Sequence, residues 1–351
     1  MASPTVLYVG TEDGVHVLRS DDGDRWEVQP DTRKQVPREW AVRKLTTDRS
    51  RPNRVFAGTR GDGVWVSEDY GRTWDKPSYG RLGPGKVRCV AVDPHEPDTI
   101  YAGTEPIDLW VSHDVGKRWE RLASVWDVPS VESVKYTSFG TEPHLRHIAM
   151  DPKRRGTIYA GLQVGYMIKS TDAGQSWNLL TNGLDNDVHW IEVSHTNTDE
   201  VYVATGGHFR GEGLYKSVDG GESWFQLRTA EFGRRFSVSL AMHPTDARIL
   251  FTSIGDGHSG QWRTRPSGAE SMVIRTKDGG ATWERLEKGL EETERDYAYT
   301  FAHDPSSPDR VYAGFISGDV YRSEDCGDSW SKLDVKVPTT YLYDMTCVHE
   351  E

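Results

Sequence analysis

The chain has 351 residues, 36% hydrophobic and 11% aromatic, enough for a sizeable buried core, and carries a formal charge of −12. A net negative surface with no offsetting basic stripe excludes wide contact with nucleic-acid phosphates or anionic membrane. The N-terminal "MASPTVLYVG" shows no charged leader followed by an apolar run, and Cys89, Cys326 and Cys347 have no CxxC spacing, so a cytoplasmic monomer with three reduced thiols is expected.

In chain order, residues 5–28 read as three strands, and the turn "RSDDGDRW" is the first of seven of the form Ser/Thr-x-Asp-x-Gly-x-x-Trp, with Arg19 at the Ser position and Asp21 at the Asp position. Each later unit repeats one cycle. An apolar run ends in a proline turn ("VRCVAVDPHEPD"), two β-branched and aromatic runs flank a Gly-rich break ("RVFAGTRGDGVWVSED"), and the Asp turn leads into a last strand at its Trp. The anchors Trp26, Trp74, Trp119, Trp177, Trp224, Trp283 and Trp330 lie 45 to 59 residues apart. Seven units of four antiparallel strands describe an all-β, seven-bladed β-propeller. The C-terminal "YLYDMTCVH" reads as the first strand missing from the N-terminal unit. Residues 341–348 are therefore expected to join 5–28, close the ring and make 1–351 one domain.

In each turn the Asp carboxylate is placed to accept backbone N–H groups, Gly to take a positive φ and Trp to pack between blades, a structural role. These turns resemble the Asp-box (BNR) repeat of sialidases, sortilin-type receptors, xyloglucan-cleaving glycosidases and a photosystem assembly factor. The resemblance spans nearly the whole chain and implies a propeller whose ligand face lies opposite the boxes. It departs from sialidases in having seven blades, no Arg-Ile-Pro segment and no assignable Tyr/Glu pair.

The opposite face gathers the long connections, "ERLASVWDVPSVESVKYTSFGTEPH", "TGGHFRGEG", "GDGHSGQWRTRPSGAES" and "EKGLEETERD", and with them Trp40, Trp126, Trp190 and Trp262, placed to stack on a flat ligand or simply to cover the ring mouth. His144, His147, His189, His208 and His258 map to the same side; His147, His189, His208 and His258 are candidates for a divalent metal ion, with acid/base work as the other use. Aligning the first strands gives one register position occupied by Arg43, Arg88, Arg146, His189, Val238, Tyr299 and Asp344. Three guanidiniums in adjacent blades suit a carboxylate or phosphate, or alternatively inter-blade carboxylates. Among the mouth carboxylates Glu142, Asp187, Asp256, Glu270, Asp296 and Asp344, a glycosidase would need a pair; Glu142 and Asp344, with His147 and His189, are the catalytic candidates, and Trp190, Trp262 and Tyr299 join the arginines as ligand-binding ones. The expected function is a hydrolase or lyase acting on a small polar or anionic, glycoside-like substrate. The alternative is a non-catalytic propeller that binds a protein or assists assembly.

Overall fold

A computed structural model describes residues 3–31, 35–78, 83–129, 131, 142–207, 213–233, 236–257 and 259–351. The described chain is nearly all β, with helix confined to short segments such as Ser259–Trp262, and its strands form seven antiparallel sheets around one axis. Six sheets have four strands; blade 2 has three, Val42–Asp48, Arg51–Thr59 and Gly63–Ser67, and a single bridge from Val66 to Asp75 stands in its fourth place. Leu342–His349 is the innermost strand of blade 1 and pairs with Thr5–Thr11, so opposite chain ends latch the ring.

The registers fix the two faces. In blade 2, Val42 faces Thr59 at one end, while Asp48 faces Arg51 and Val55 faces Ser67 at the other. The proline turns and Asp turns therefore share one face, and the starts of the inner strands share the opposite one.

Each Asp turn is a hydrogen-bonded unit. In blade 4 the Ser170 hydroxyl donates to Asp172 at 2.7 Å, the Gly174 N–H donates to Ser170 Oγ at 2.8 Å, and the Ser176 N–H donates to Asp172 at 2.9 Å. The Ser176 hydroxyl, which donates to Asp172 at 2.6 Å, the Ser176 N–H and the Ser170 hydroxyl hold the Asp172 carboxyl down, to about 2. Blade 1 corrects the alignment: there Ser20 and Asp22, not Arg19 and Asp21, make these bonds, because the turn is one residue shorter between its Ser and Gly23.

Three turn tryptophans pack against an aromatic residue in the second strand of the preceding blade. Trp74 meets Tyr8 edge-on at 6.4 Å, Trp26 meets Tyr312 at 5.7 Å, and Trp330 meets Phe251 at 6.5 Å. The turn glycine permits this approach: a Cβ on Gly71, which has φ +77°, would stand 2.7 Å from the Tyr8 ring.

Candidate functional site

All seven inner strands break register at the same level, near the mouth. The breaks fall between Val42 and Lys44, Val87 and Cys89, Leu145 and His147, Val188 and Trp190, Ser237 and Leu240, Ala298 and Thr300, and in blade 1 between Leu342 and Asp344. A bulge leaves its extra residue out of the ladder and re-aims the side chain. The residues so placed include Arg43, Arg88, Arg146, His189, Val238, Tyr299 and Tyr343, and all of these line one axial cavity of about 280 Å³. Lys44, His144, His147, Gln163, Trp190, Tyr341 and the helix residues Ser259 and Gly260 complete its wall.

Blade 1 thus contributes Tyr343, which corrects the expected Asp344. Asp344 stands opposite Gly10, as Lys44 stands opposite Gly58, and is 2% exposed. Its oxygens accept the Leu45 N–H at 2.8 Å and the Thr300 hydroxyl at 3.2 Å, and Lys44 Nζ lies 3.3 Å away. It fastens blades 7, 1 and 2 together rather than facing a substrate.

The arginines do converge, with unequal neutralisation. Arg88 Nε lies 2.8 Å from Glu105, which also meets Arg60 at 3.5 Å. Burial, with Arg43 close by, pushes the Arg88 guanidinium down to about 9 against the pull of Glu105. Arg43 lies 3.8 Å above the Tyr343 ring, and its buried Nε has no hydrogen-bond partner. Arg146 donates to the Gln163 amide oxygen at 2.6 Å. Among the described residues neither Arg43 nor Arg146 has a carboxylate within ion-pair distance.

The histidines divide by what holds their nitrogens. His189 donates from Nδ1 to the Ser237 carbonyl at 2.6 Å, and its Nε2 lies 3.1 Å from Asp187, so both nitrogens are engaged. The His147 ring stacks on Trp190 at 4.2 Å, and its Nδ1 is buried without a partner. His144 Nδ1 lies 2.8 Å from the Glu142 carbonyl and 3.3 Å from the Arg88 guanidinium; the shorter contact, to an acceptor, places the proton on Nδ1 and the lone pair on Nε2. Burial and Arg88 push His144 well below its ordinary range; burial and Lys44 do the same to His147, and burial and Arg146 lower His189.

The remaining candidates scatter. Trp190 and Tyr299 line the cavity, and Lys44 Nζ sits 3.7 Å above the Trp190 ring. Trp262 is instead 4% exposed, stacked on Tyr297 at 4.3 Å beneath the short helix. The half-exposed Glu142 carboxylate lies 3.8 Å from Lys86, Asp256 and Glu270 hold Arg265, and Trp126 packs into the core between blades 3 and 4. No carboxylate lines the cavity among the described residues.

Of the four histidines expected to bind metal, His208 and His258 lie outside the described residues. Among the described residues the ligand atoms that gather closely enough for a metal are those of His243, Asp309 and Cys326, on the Asp-turn face. There His243 Nδ1 accepts the Asp246 N–H at 3.1 Å, which fixes the proton on Nε2, the atom a metal would need. His243 caps its proline turn as Asp48 and Asp151 cap theirs.

Lys44, Gln163, Tyr341 and Tyr343 were not singled out from sequence, and His144 was named only among the histidines of the mouth side. A usable signal existed for Tyr343: an aliphatic residue precedes the bulge at Val42, Val87, Leu145 and Val188, and Leu342 precedes Tyr343.

With this geometry in hand, the chain was compared with known proteins. No protein-family model matches it. It is 26% identical over 239 residues to a Paenibacillus xyloglucanase, covering 56% of this chain and 21% of that protein. It is 27% identical over 218 residues to the photosystem II assembly lipoprotein Ycf48 of Synechococcus, covering 54% of this chain and 62% of that protein. The chain therefore spans about a fifth of the xyloglucanase and under two thirds of Ycf48. The solved GH74 enzyme of Niastella koreensis superposes with TM-score 0.63 at 16% identity, over 83% of this chain and 45% of that one. YCF48 bound to D1 peptide superposes with TM-score 0.56 at 14% identity, over 83% and 80%. These likenesses give the propeller fold, shared by glycoside hydrolases and an assembly factor.

Proposed function

We propose that the chain is an enzyme acting on a small anionic, glycoside-like substrate in the axial cavity, and that its reaction is of the lyase class. The observation that carries this reading is the convergence of three bulge arginines, Arg43, Arg88 and Arg146, on a cavity that also holds a buried imidazole, His144, with Nδ1 against the Glu142 carbonyl. Guanidiniums match a carboxylate in a planar fork, and the Tyr299, Tyr341, Tyr343 and Trp190 rings offer faces for a sugar ring.

Between the two reaction classes the wall residues favour elimination. Glycoside hydrolysis by the common route uses two carboxyl groups flanking the bond, and no carboxylate lines the cavity among the described residues. Arginines on a substrate carboxylate acidify the hydrogen on the neighbouring carbon, and His144 Nε2 takes that proton. The C–H electron pair becomes a C=C bond as the oxygen on the next carbon leaves, and the leaving oxygen takes the proton back from His144. No step requires a metal. The reading replaces His147 and His189 as acid/base groups because one is stacked and the other has both nitrogens engaged.

The test is to incubate the protein with a panel of acidic di- and oligosaccharides and follow the ultraviolet absorbance of a double bond conjugated to a carboxylate. Product from wild type and a loss of about 100-fold or more in His144→Gln are expected. New reducing ends without unsaturation would make it a hydrolase. No turnover, together with capture of a peptide in the cavity, would favour the non-catalytic reading, which the likeness to peptide-bound YCF48 supports.

A further inference from the structure

We infer that the axial cavity selects a ligand bearing two negative charges over one bearing a single charge; this rests on the anionic-substrate reading and adds the charge count. Four cationic side chains, Arg43, Lys44, Arg88 and Arg146, line the wall. Two are already matched within the protein: Arg88 by Glu105 at 2.8 Å and Lys44 by Asp344 at 3.3 Å. His144 and His147 add no charge near neutrality, since burial and the surrounding cations hold them down, and a charge on His189 is matched by Asp187 at 3.1 Å.

Arg43 and Arg146 remain, one blade to either side of Arg88. The contacts described for them are the Tyr343 ring and the Gln163 amide oxygen, neither of which carries a charge. Arg43 Nε is a buried donor without an acceptor, and such a donor is costly unless something that visits the cavity satisfies it. Among the described residues, the other carboxylates nearby stand outside ion-pair distance of both guanidiniums, Glu12 favouring the Arg43 charge only from farther away. Glu12 is exposed and accepts the Tyr343 hydroxyl, and Asp187 faces His189 Nε2 at 3.1 Å. A monoanion leaves one of the two guanidiniums without a counter-charge in a confined space, whereas a dianion matches both. The two charges reside either on one phosphate-like head group or on two carboxylates of one small molecule.

The experiment is calorimetric titration of the full chain with acetate, inorganic phosphate and succinate at pH 7.5 and constant ionic strength. At least one dianion is expected to bind about tenfold or more tightly than acetate. Phosphate leading would place both charges on one head group, and succinate leading would separate them; either supports the inference. Arg43→Gln and Arg146→Gln should each bring the ratio of dianion to acetate affinity close to one, while Arg146→Lys retains most of it. Measurable binding of all three with a wild-type ratio near one overturns the charge count and leaves the anionic-substrate reading standing. No binding of any of the three overturns both. The wild-type ratio decides by itself, so a variant that folds poorly does not blunt the test.

Discussion

Arg275 in blade 6 and Arg43 in blade 2 are held in opposite ways. Arg275 is 2% exposed, and its guanidinium reaches Glu284 at 2.7 Å and Asp328 at 2.6 Å while also donating to the Cys326 carbonyl. Those acceptors sit on both sides of the seam between blades 6 and 7, on the Asp-turn face. Arg43 and Arg146, at the mouth, rest on a tyrosine face and an amide oxygen. Where an arginine ties blades together the fold supplies its counter-charge; at the cavity it supplies one to Arg88, through Glu105, and among the described residues none to Arg43 or Arg146. A charge left unmatched inside a structure costs stability, so its persistence points to a ligand rather than to the scaffold.

The sharpest way to test this division is to damage the Asp-turn face alone. Trp224 is 6% exposed, packs in the cluster containing Tyr159 and Leu180, and donates from Nε1 to the Gly221 carbonyl at 2.8 Å. Trp224→Ala should cost about 3–5 kcal/mol in denaturant unfolding and leave anion affinity at the cavity within about twofold. A loss of affinity matching the loss of stability would show that the two faces are not separable.

A paired comparison follows at somewhat smaller scale. Arg275→Ala should destabilise by about 2–3 kcal/mol, less than a fully buried pair because Glu284 and Asp328 can turn to water. Arg146→Gln should change stability by less than about 0.5 kcal/mol and yet remove the preference for dianions. Equal destabilisation by the two substitutions would erase the distinction.

The Asp-turn face was legible in the sequence because its chemistry is local: Ser, Asp, Gly and Trp bond to one another within eight residues, so the pattern survives without knowledge of the fold. Even there one residue misled, since the shortened turn of blade 1 moves the cap from Asp21 to Asp22. The mouth was legible only in part. Arg43, Arg88 and Arg146 emerged from aligning inner strands, but a one-residue slip in the last strand exchanged Tyr343 for Asp344, and in a strand such a slip sends the side chain to the other side. The partners that decide each histidine's role, Ser237 for His189 and Trp190 for His147, lie on a neighbouring blade, where no sequence spacing reveals them. Glu105 and Arg88 share blade 3, but their ion pair is set by the turn after its second strand, which no spacing reveals.

A milder perturbation of the Asp turns should give a correspondingly smaller effect. Asp172→Asn keeps the shape and removes the charge that the Ser170 hydroxyl and the Ser176 N–H and hydroxyl share, and it should cost about 1 kcal/mol because the carboxylate is largely exposed. The same change at Asp21 should be silent, whereas Asp22→Asn should match Asp172→Asn; thermal unfolding of the three variants distinguishes the observed blade 1 turn from the aligned one.

The smallest effect expected is one of sign. His349, in the closing strand, lies 2.6 Å from Asp304 of blade 7, and this bond raises the imidazole above its ordinary range while burial partly opposes it. A raised histidine stabilises fully below its unfolded value near 6.5, and that contribution is lost as pH rises through the higher folded value. The cavity histidines act the other way: His144 and His147 are lowered, so their contribution is complete above about 6.5 and is lost as pH falls below it. In wild type the cavity term makes stability rise with pH up to about 6.5, and the latch term makes it fall above that value. His349→Gln removes the latch term, so its Tm should fall less with pH above about 6.5 than that of wild type, while His144→Gln should flatten the rise below it. Identical slopes for both variants would mean that the latch and the cavity do not titrate as separate regions.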